Sequence, residues 1–174
     1  MADGPTIRPE RAEDEAAVRQ VVELAFGRPV EARLVELLRR REQIISLVAE
    51  IDGQVVGHIM FAEVTVGGWA CNVLGLAPLA VLPARQGQGV GSALVRQGLE
   101  ACRQAGAAAV IVLGHPTYYP RFGFTPASSF GLRYENPHFS PEQIEAAFMA
   151  LELVPGGLAG VGGLVGLGPE FDTF

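Results

Sequence analysis

A glycine-rich stretch in the middle of the chain has the residue types and the spacing to bind a phosphate. Glycine occupies positions 87, 89 and 91, after an apolar run that ends at Leu82 and before a helical pattern that begins at Ser92. The first amides of a helix have no intrahelical acceptor and lie at the positive end of its dipole, and glycine lets an anion approach them closely. The stretch therefore predicts an anion site built from neutral main-chain donors.

Two other nucleotide-binding loops contain a glycine-rich turn, and the residues here do not meet the requirements of either. A P-loop needs a lysine followed by Ser or Thr after its last glycine, whereas the chain has Val90, Gly91 and Ser92. A dinucleotide fingerprint needs an acidic residue at the end of the next strand, which here ends in Leu113-Gly114-His115. No carboxylate suited to Mg²⁺ follows the loop, so a phosphotransfer domain is disfavoured as well.

A second stretch whose residues could take part in chemistry is the aromatic string Tyr118-Tyr119-Pro120-Arg121-Phe122-Gly123-Phe124. A phenol with an ordinary pKa of about 10 is protonated at neutral pH and can give its proton to a thiolate. A tyrosine in such a string is more typical of a core, with its hydroxyl satisfied. The residue types alone therefore favour a core role for Tyr119.

The glycine-rich stretch resembles motif A of the GCN5-related N-acetyltransferase (GNAT) superfamily, whose core is Gln/Arg-x-x-Gly-x-Gly/Ala. Gln86, Gly89 and Gly91 match that core, and Ala80-Val81-Leu82-Pro83 is similar to the usual lead-in. The resemblance implies that the strand before the loop binds the pantetheine arm of acetyl-CoA and that the loop amides bind its pyrophosphate. The implied contact residues are Leu79, Ala80 and Val81 on the strand, and Gln86, Gly87, Gln88, Gly89, Val90, Gly91 and Ser92 in the loop. Arg85 either makes a charge-assisted contact with a phosphate or is solvated.

The aromatic string is similar to a second element of that family, Tyr-x-x-x-Gly-Phe, whose tyrosine sits by the coenzyme sulfur. Tyr119 falls at that position, and the segment from Gly114 to Phe124 resembles the YhbS-like subgroup. The resemblance therefore predicts that Tyr119 is the catalytic residue, acting as the general acid for the departing thiolate, whereas Tyr118 is expected to pack.

The implied reaction moves an acetyl group from acetyl-CoA to a primary amine by direct attack in a ternary complex. No acyl-enzyme is expected, because neither Cys71 nor Cys102 sits beside a base that would lower its thiol pKa. An amide near Val81 is the implied donor to the thioester carbonyl. The alternative function is a catalytically silent acyl-CoA-binding sensor or regulatory module, which could dispense with Tyr119.

The general base is not fixed by the sequence. Family members often use a glutamate on the strand before the loop, but the strand expected here contains no Asp, Glu or His. Glu63 and His58 lie on the preceding run, and their spacing puts them on opposite faces of a regular strand. His115 and a bound water are further candidates for the base, and an amine that is already neutral needs none.

The elements that must position these residues follow from periodicity and turn signals. β-rich or continuously apolar runs predict strands at 6–8, 44–51, 55–66, 71–82 and 107–113. Apolar residues at helical spacing predict helices at 13–26, after Pro29, and at 92–104. Asp52-Gly53 and Gly67-Gly68 are expected to form hairpin turns. Further along, the predictions are a strand within 124–133, a helix at 141–149, a strand at 151–154 and an irregular apolar segment at 156–168.

Together with the resemblance, these elements predict an α/β (α+β) GNAT acyltransferase fold in a single domain, 1–174. The expected architecture is a mixed central sheet of six or seven strands, splayed at the cofactor site, with about four helices. Acetyl-CoA, as cosubstrate, is expected to enter a V-shaped opening between the strands that end at Leu82 and Leu113.

Composition excludes several kinds of partner. Lys and Arg total 13 and Asp and Glu total 19, a formal net charge of −6, so a nucleic-acid partner is not expected. No apolar run reaches the roughly 20 residues of a membrane span and no signal peptide is visible, which predicts the cytoplasm. No His, Cys or carboxylate cluster has ligand spacing, so no metal is expected.

The acceptor is left open by the sequence. A small-molecule amine, a peptide N-terminus and a lysine side chain all fit the implied chemistry. The Gly-rich segment at 156–168 either lines the acceptor site or forms a homodimer contact.

Overall fold

The computed structural model describes residues 3–172, which form two compact units. Unit 1 contains the described residues up to Ala62, Ala77–Ala101, and the residues from Glu170 onward. Unit 2 contains Glu63–Leu76 and Cys102–Pro169. The chain crosses between the units four times, within β-strands at 62–63 and 76–77, within a helix at 101–102 and within the 3₁₀ turn Pro169–Phe171. The single domain expected for 1–174 stays a prediction.

Four helices and nine strands are present in the described residues. The helices are α1 (Glu15–Phe26), α2 (Val30–Leu38), α3 (Val90–Gln104) and α4 (Pro141–Ala147). The strands are β1 (Thr6–Pro9), β2 (Ile44–Ile51), β3 (Gln54–Val66), β4 (Trp69–Val81), β5 (Ala109–Leu113), β6 (Thr125–Pro126), β7 (Leu132–Arg133), β8 (Phe148–Glu152) and β9 (Gly163–Gly166). Parallel and antiparallel pairs both occur, which confirms the predicted mixed α/β architecture.

In unit 1, β3 is covered on both faces. Strands β1, β2 and β3 pair antiparallel in chain order. On one face, Met60 and Ala62 join the core formed with α1 and α2. On the other face α3 packs so closely that a Cβ at Gly57 would lie 2.9 Å from Leu94 Cδ1, and one at Gly98 would lie 2.5 Å from Phe61 Cε2. Burial on both faces explains why β3 is apolar almost throughout.

In unit 2, a parallel pair is extended by antiparallel strands. β4 pairs with β5 from Val73 to Leu76, opposite Ala109 to Val112, and β8 pairs antiparallel along the other edge of β5. β6 continues beyond β8, and β9 pairs with the end of β3 and with β7. The β4–β5 register stops at Leu76, opposite Val112, and β5 itself ends one residue later at Leu113, while β4 continues to Val81. The V-shaped entrance for the coenzyme stays a prediction.

Both predicted hairpin turns are confirmed by their backbone angles. Asp52 and Gly53 have φ of 51° and 75°, and Gly67 and Gly68 have φ of 61° and 82°. Two consecutive positive φ values are what a type I′ turn requires, and they match the twist of the strands that the turn joins.

The predictions after residue 113 are partly wrong. The strand expected within 124–133 is two short strands, β6 and β7, separated by a 3₁₀ turn at Ala127–Phe130. The helix expected to reach 149 ends at Ala147, because Phe148 and Met149 are buried and pair with β5. The segment expected to be irregular contains β9. Strand pairing with distant residues outweighs local helical spacing here.

The end of the described chain is anchored on unit 1. Arg41 Nε donates to Glu170 Oε1 at 3.0 Å, and both side chains are largely buried. Phe171 packs against the core that α1 and α2 form with the sheet. The last residues therefore contribute to the stability of unit 1.

A buried polar network links β1, α2, β2 and β3 in unit 1. The Glu10 carboxylate accepts hydrogen bonds from Arg39 and from the Ser46 hydroxyl, and it lies 3.5 Å from His58 Nε2. His58 Nε2 is also 2.8 Å from Ser46 Oγ. Burial by itself would raise the pKa of Glu10, but His58, Arg39 and Ser46 outweigh burial and lower it to about 2. Burial lowers the pKa of His58 and outweighs the Glu10 carboxylate, which raises it, and the nearby Arg39 adds to the lowering.

We expect the free energy of unfolding to fall as the pH is lowered below 6.5. The fold lowers the pKa of His58 below its unfolded value of 6.5, so below that pH the unfolded chain binds more protons at this residue than the folded chain does. The contribution of Glu10 is present above 4.5 and is lost as the pH falls toward about 2. Urea unfolding at a series of pH values measures this slope.

His58→Gln, which keeps a donor near the Nε2 position, should flatten the slope between about pH 7 and pH 5. His138→Gln, at an exposed histidine, is the matched control. A His58→Gln slope equal to that of the wild type would contradict the interpretation.

Candidate active site

The glycine-rich loop joins β4 to α3 through a 3₁₀ turn at Pro83–Arg85. Gly87 and Gly89 have φ of 71° and 84°, and a Cβ on either would meet no atom within 4 Å. Glycine is therefore required by backbone conformation, and the space above the loop is open. The Ala93 amide donates to Gly89 O at 3.0 Å, so the amides of residues 90–92 come before the first helical hydrogen bond. This is the arrangement predicted for an anion site.

The loop side chains turn back onto their own backbone. Gln86 Nε2 donates to Val81 O at 3.0 Å, and Gln88 Nε2 donates to Ala84 O at 3.1 Å. The side chains of Val90 and Ala80 are buried in the core of unit 1. Ligand contacts at these four predicted residues must therefore come mainly from main-chain atoms, which agrees with a site made of amides.

Arg85 is a half-buried cation directly before the loop. Within residues 3–172 its guanidinium has no hydrogen-bond or ion-pair partner. Both predicted roles of Arg85, a charge-assisted phosphate contact and simple solvation, stay predictions.

Tyr119 begins a 3₁₀ turn, Tyr119–Phe122, in unit 2, and its ring is held by aromatic neighbours. The ring meets Tyr118 at 5.2 Å between centroids and 89° between planes, and it meets Phe124 at 5.7 Å and 76°. Phe122 lies 6.4 Å away in a tilted arrangement. Edge-to-face packing of this kind is favourable and fixes the position of the ring.

The Tyr119 hydroxyl differs from the ring in its surroundings. Among the described residues, the polar side-chain atom that is buried without a partner is Nδ1 of His58, and no hydrogen bond engages the Tyr119 hydroxyl. The hydroxyl is therefore not completely sealed from solvent, although the side chain is only 7% exposed. Burial of the ring raises the pKa of Tyr119, and the neighbouring Tyr118 adds to the rise, so the phenol is protonated throughout the neutral range.

The candidate bases and thiols are not equally available. His58 is 0% exposed and belongs to the Glu10 network, so it cannot reach an acceptor amine. His115 is exposed in the turn that leads to Tyr119. Burial raises the pKa of Cys102 to about 12, and the Cys71 thiol is directed at Val64 O, 3.6 Å away. Neither thiol is poised as a nucleophile.

A family model described as Acetyltransferase (GNAT) domain matches residues 6–127, which include both the loop and the aromatic string. The chain is 43% identical over 145 residues to the uncharacterized N-acetyltransferase YjhQ of Escherichia coli K12, covering 80% of each protein. It is 38% identical over 170 residues to the uncharacterized N-acetyltransferase YhbS of the same strain, covering 97% of this chain and 99% of YhbS. The chain belongs to the GNAT acetyltransferase family.

Solved structures agree with this assignment. The crystal structure of YhbS from Escherichia coli in complex with CoA superposes with a TM-score of 0.92 at 37% identity, covering 100% of this chain and 95% of that one. A GNAT acetyltransferase from Brucella melitensis in complex with acetyl-CoA gives a TM-score of 0.78 at 38% identity, covering 97% and 98%. The predicted GNAT fold, the YhbS-like subgroup and the acetyltransferase activity class are thereby confirmed.

In residues 3–172 of this GNAT chain, no helix has the length and apolar character needed to cross a bilayer. Within the same part of the chain, no three His, Cys, Asp or Glu side chains come together as a group that could hold a metal ion.

Proposed function

We propose that this protein transfers the acetyl group of acetyl-CoA to a primary amine by direct attack in a ternary complex. The observation that carries the proposal is the structure of the loop at 87–92. Two glycines with positive φ have open space beside them, and the amides that follow them at the start of α3 precede the first helical hydrogen bond. A diphosphate fits such a site because its charge is met by amide dipoles at no desolvation cost to a protein cation. CoA and acetyl-CoA are bound in the crystal structures of the two similar proteins.

The coenzyme contacts follow from the chemistry of each segment. Main-chain atoms of Leu79, Ala80 and Val81 bind the pantetheine arm, and the Gln86–Val81 hydrogen bond fixes the end of that strand to the loop. The amides from Gly87 to Ser92 bind the pyrophosphate, and Arg85 adds a charge-assisted contact. The loop thereby aims the thioester along the strand.

The reaction conserves protons overall. The neutral amine attacks the thioester carbonyl carbon, the C–N bond forms, and the carbonyl oxygen takes the developing negative charge near an amide of β4. The C–S bond then breaks, Tyr119 gives its proton to the thiolate, and the proton lost by the amine leaves through water or a base. The products are the N-acetylated amine and free CoA.

Calorimetry with purified protein tests the cosubstrate. We expect one site for acetyl-CoA and for CoA, with no competition by ATP. A protein with no affinity for either compound would overturn the proposed function. Consumption of the thioester in the presence of a panel of amines then separates an enzyme from a silent sensor, since a sensor binds the coenzyme without turning it over.

Covalent labelling distinguishes direct attack from an acyl-enzyme mechanism. The test is clear for this chain because it has no lysine side chain that acetyl-CoA could label. The chain contains no lysine, since all 13 basic residues are arginines. Incubation with labelled acetyl-CoA and no acceptor should therefore leave no label on side chains. Label on Cys71 or Cys102 in peptide maps would indicate an acyl-enzyme and contradict the ternary mechanism.

Gly89→Ala is expected to raise the dissociation constant of CoA by about 10- to 150-fold, because a shifted amide loses a charge-assisted hydrogen bond worth roughly 1.5–3 kcal/mol. The matched control is Gly106→Ala at the other end of α3. Gly106 has φ of 88° against 84° for Gly89, and neither position has an atom within 4 Å of a built Cβ. Both changes should cost about 1–2 kcal/mol of stability from backbone strain alone. Equal loss of CoA affinity in the two variants would contradict the assignment of the loop.

For the acceptor we propose a small molecule or peptide that carries a primary amine. We further propose a cytoplasmic protein that does not act on nucleic acid and forms a homodimer. The Gly-rich segment at 156–168 either lines the acceptor site or forms the dimer contact. Size-exclusion chromatography with light scattering measures the mass in solution, and a monomer at all concentrations would exclude the dimer.

A further inference from the structure

Gly114 lies directly against the ring of Tyr119. A Cβ built at Gly114 would be 2.4 Å from Cε2 of that ring, 3.0 Å from Cδ2 and 3.4 Å from Cζ. Carbon atoms in good contact are about 3.5–4.0 Å apart, so no side chain fits at position 114 while the ring keeps its place.

Backbone conformation does not explain the glycine. Gly114 is absent from the residues with positive φ, in contrast to Gly123 at 98°. Its amide donates to Ala147 O at 2.9 Å, a main-chain hydrogen bond that any residue except proline could make at this position. The demand for glycine at this position comes from the ring of Tyr119.

The ring has little room to escape from a larger residue. Tyr118 and Phe124 meet it edge to face at 5.2 and 5.7 Å between centroids, and Phe122 lies behind at 6.4 Å. The Tyr119 ring is thus packed between the backbone of Gly114 and three aromatic rings. Together these neighbours bury the Tyr119 side chain, which is only 7% exposed.

We propose that Gly114 is a positioning residue that sets where the Tyr119 hydroxyl lies during acetyl transfer, an inference that rests on the proposed acid role of Tyr119. A methyl group at position 114 pushes the ring by about 1 Å, the difference between the built contact and a normal one. A displacement of that size in a proton donor costs up to about 100-fold in rate, because proton transfer needs hydrogen-bond geometry.

Gly114→Ala is therefore expected to lower kcat by about 10- to 100-fold, with the KM for acetyl-CoA and the calorimetric affinity for CoA unchanged. Gly4→Ala is the control, since Gly4 has no positive φ and a Cβ there would meet no atom within 4 Å. It should match the wild type in kcat. A Gly114→Ala enzyme with wild-type kcat would overturn the inference.

A double-mutant cycle separates positioning from general damage. Tyr119→Phe keeps the ring, and therefore the clash, but removes the hydroxyl. If Gly114 acts through the hydroxyl, Gly114→Ala combined with Tyr119→Phe is no slower than Tyr119→Phe alone. A double variant that is slower by the full factor seen for Gly114→Ala would show a merely structural role and overturn the inference.

Folding of the variant has its own test. If Gly114→Ala accumulates unfolded, adding Tyr119→Leu, which removes the rigid ring, should restore a folded protein by circular dichroism. Failure of that rescue would show that the ring is not what demands glycine. Failure of the proposed function gives a different result, because the wild type itself would then neither bind CoA nor acetylate an amine.

Discussion

Tyr119→Phe is expected to lower kcat by about 100-fold, the lower end of the range for loss of a general acid. The affinity for CoA should stay at the wild-type value, since the proposed binding groups are the amides of 87–92. The ring and its aromatic contacts are retained in the variant, so the fold is preserved. Steady-state kinetics at saturating acetyl-CoA, together with calorimetry, separates the two effects.

The pH dependence follows from the environment of the same phenol. Burial raises the pKa of Tyr119 above its ordinary 10, and Tyr118 adds to the rise. A raised pKa keeps the acid protonated, so no loss of kcat from ionisation of Tyr119 is expected as the pH rises to about 10. A falling limb of kcat centred between about pH 8 and pH 9 that disappears in Tyr119→Phe would contradict this expectation.

Tyr118→Phe is the matched control for the hydroxyl. Tyr118 is adjacent in sequence and touches the same ring, but its own ring stacks under the Arg121 guanidinium, 4.4 Å from the centroid. Loss of its hydroxyl should leave kcat within about twofold of the wild type, since its aromatic contacts remain. If Tyr118→Phe impairs turnover and Tyr119→Phe does not, the acid is assigned to the wrong tyrosine.

Arg39→Met is expected to lower the free energy of unfolding by about 3–5 kcal/mol, because it leaves the buried Glu10 carboxylate without its cation. The two side chains are 16% and 6% exposed, and Arg39 Nε donates to Glu10 Oε1 at 3.1 Å. Methionine keeps most of the aliphatic stem, so packing changes little. Urea unfolding at pH 7 measures the difference.

Arg19→Met is the matched control for loss of an ion pair. Arg19 pairs with Glu23 on α1, and the two side chains are 52% and 38% exposed. An exposed pair of this kind contributes about 0–1 kcal/mol. Similar losses in the two variants would show that the buried network adds no more than a surface pair does.

Local sequence was enough to predict the phosphate loop and the hairpins. Gly87 and Gly89 need positive φ, and so do the residues of the turn at Asp52, so their identity is determined by backbone conformation that few neighbours influence. The helix after the loop also follows from its own periodicity, although it begins at Val90 rather than Ser92.

Other features depended on contacts between residues far apart in the chain. His58 reads as a candidate base, but the fold places it at 0% exposure beside Glu10, 48 positions away, where it stabilises unit 1. Phe148 continues a helical pattern, yet it pairs with Leu113 and becomes strand. Burial and strand partners are set by the whole fold, so neither outcome is visible in a short window of sequence.

The sequence by itself determined the family, the glycine-rich loop before α3 and the tyrosine of the second motif, because each rests on residue types at fixed local spacing. Only the tertiary structure decided which polar groups are buried, how the ring of Tyr119 is held, and why position 114 must lack a side chain. The physical reason is that steric exclusion and desolvation act between atoms brought together by folding, and spacing along the chain does not record those distances.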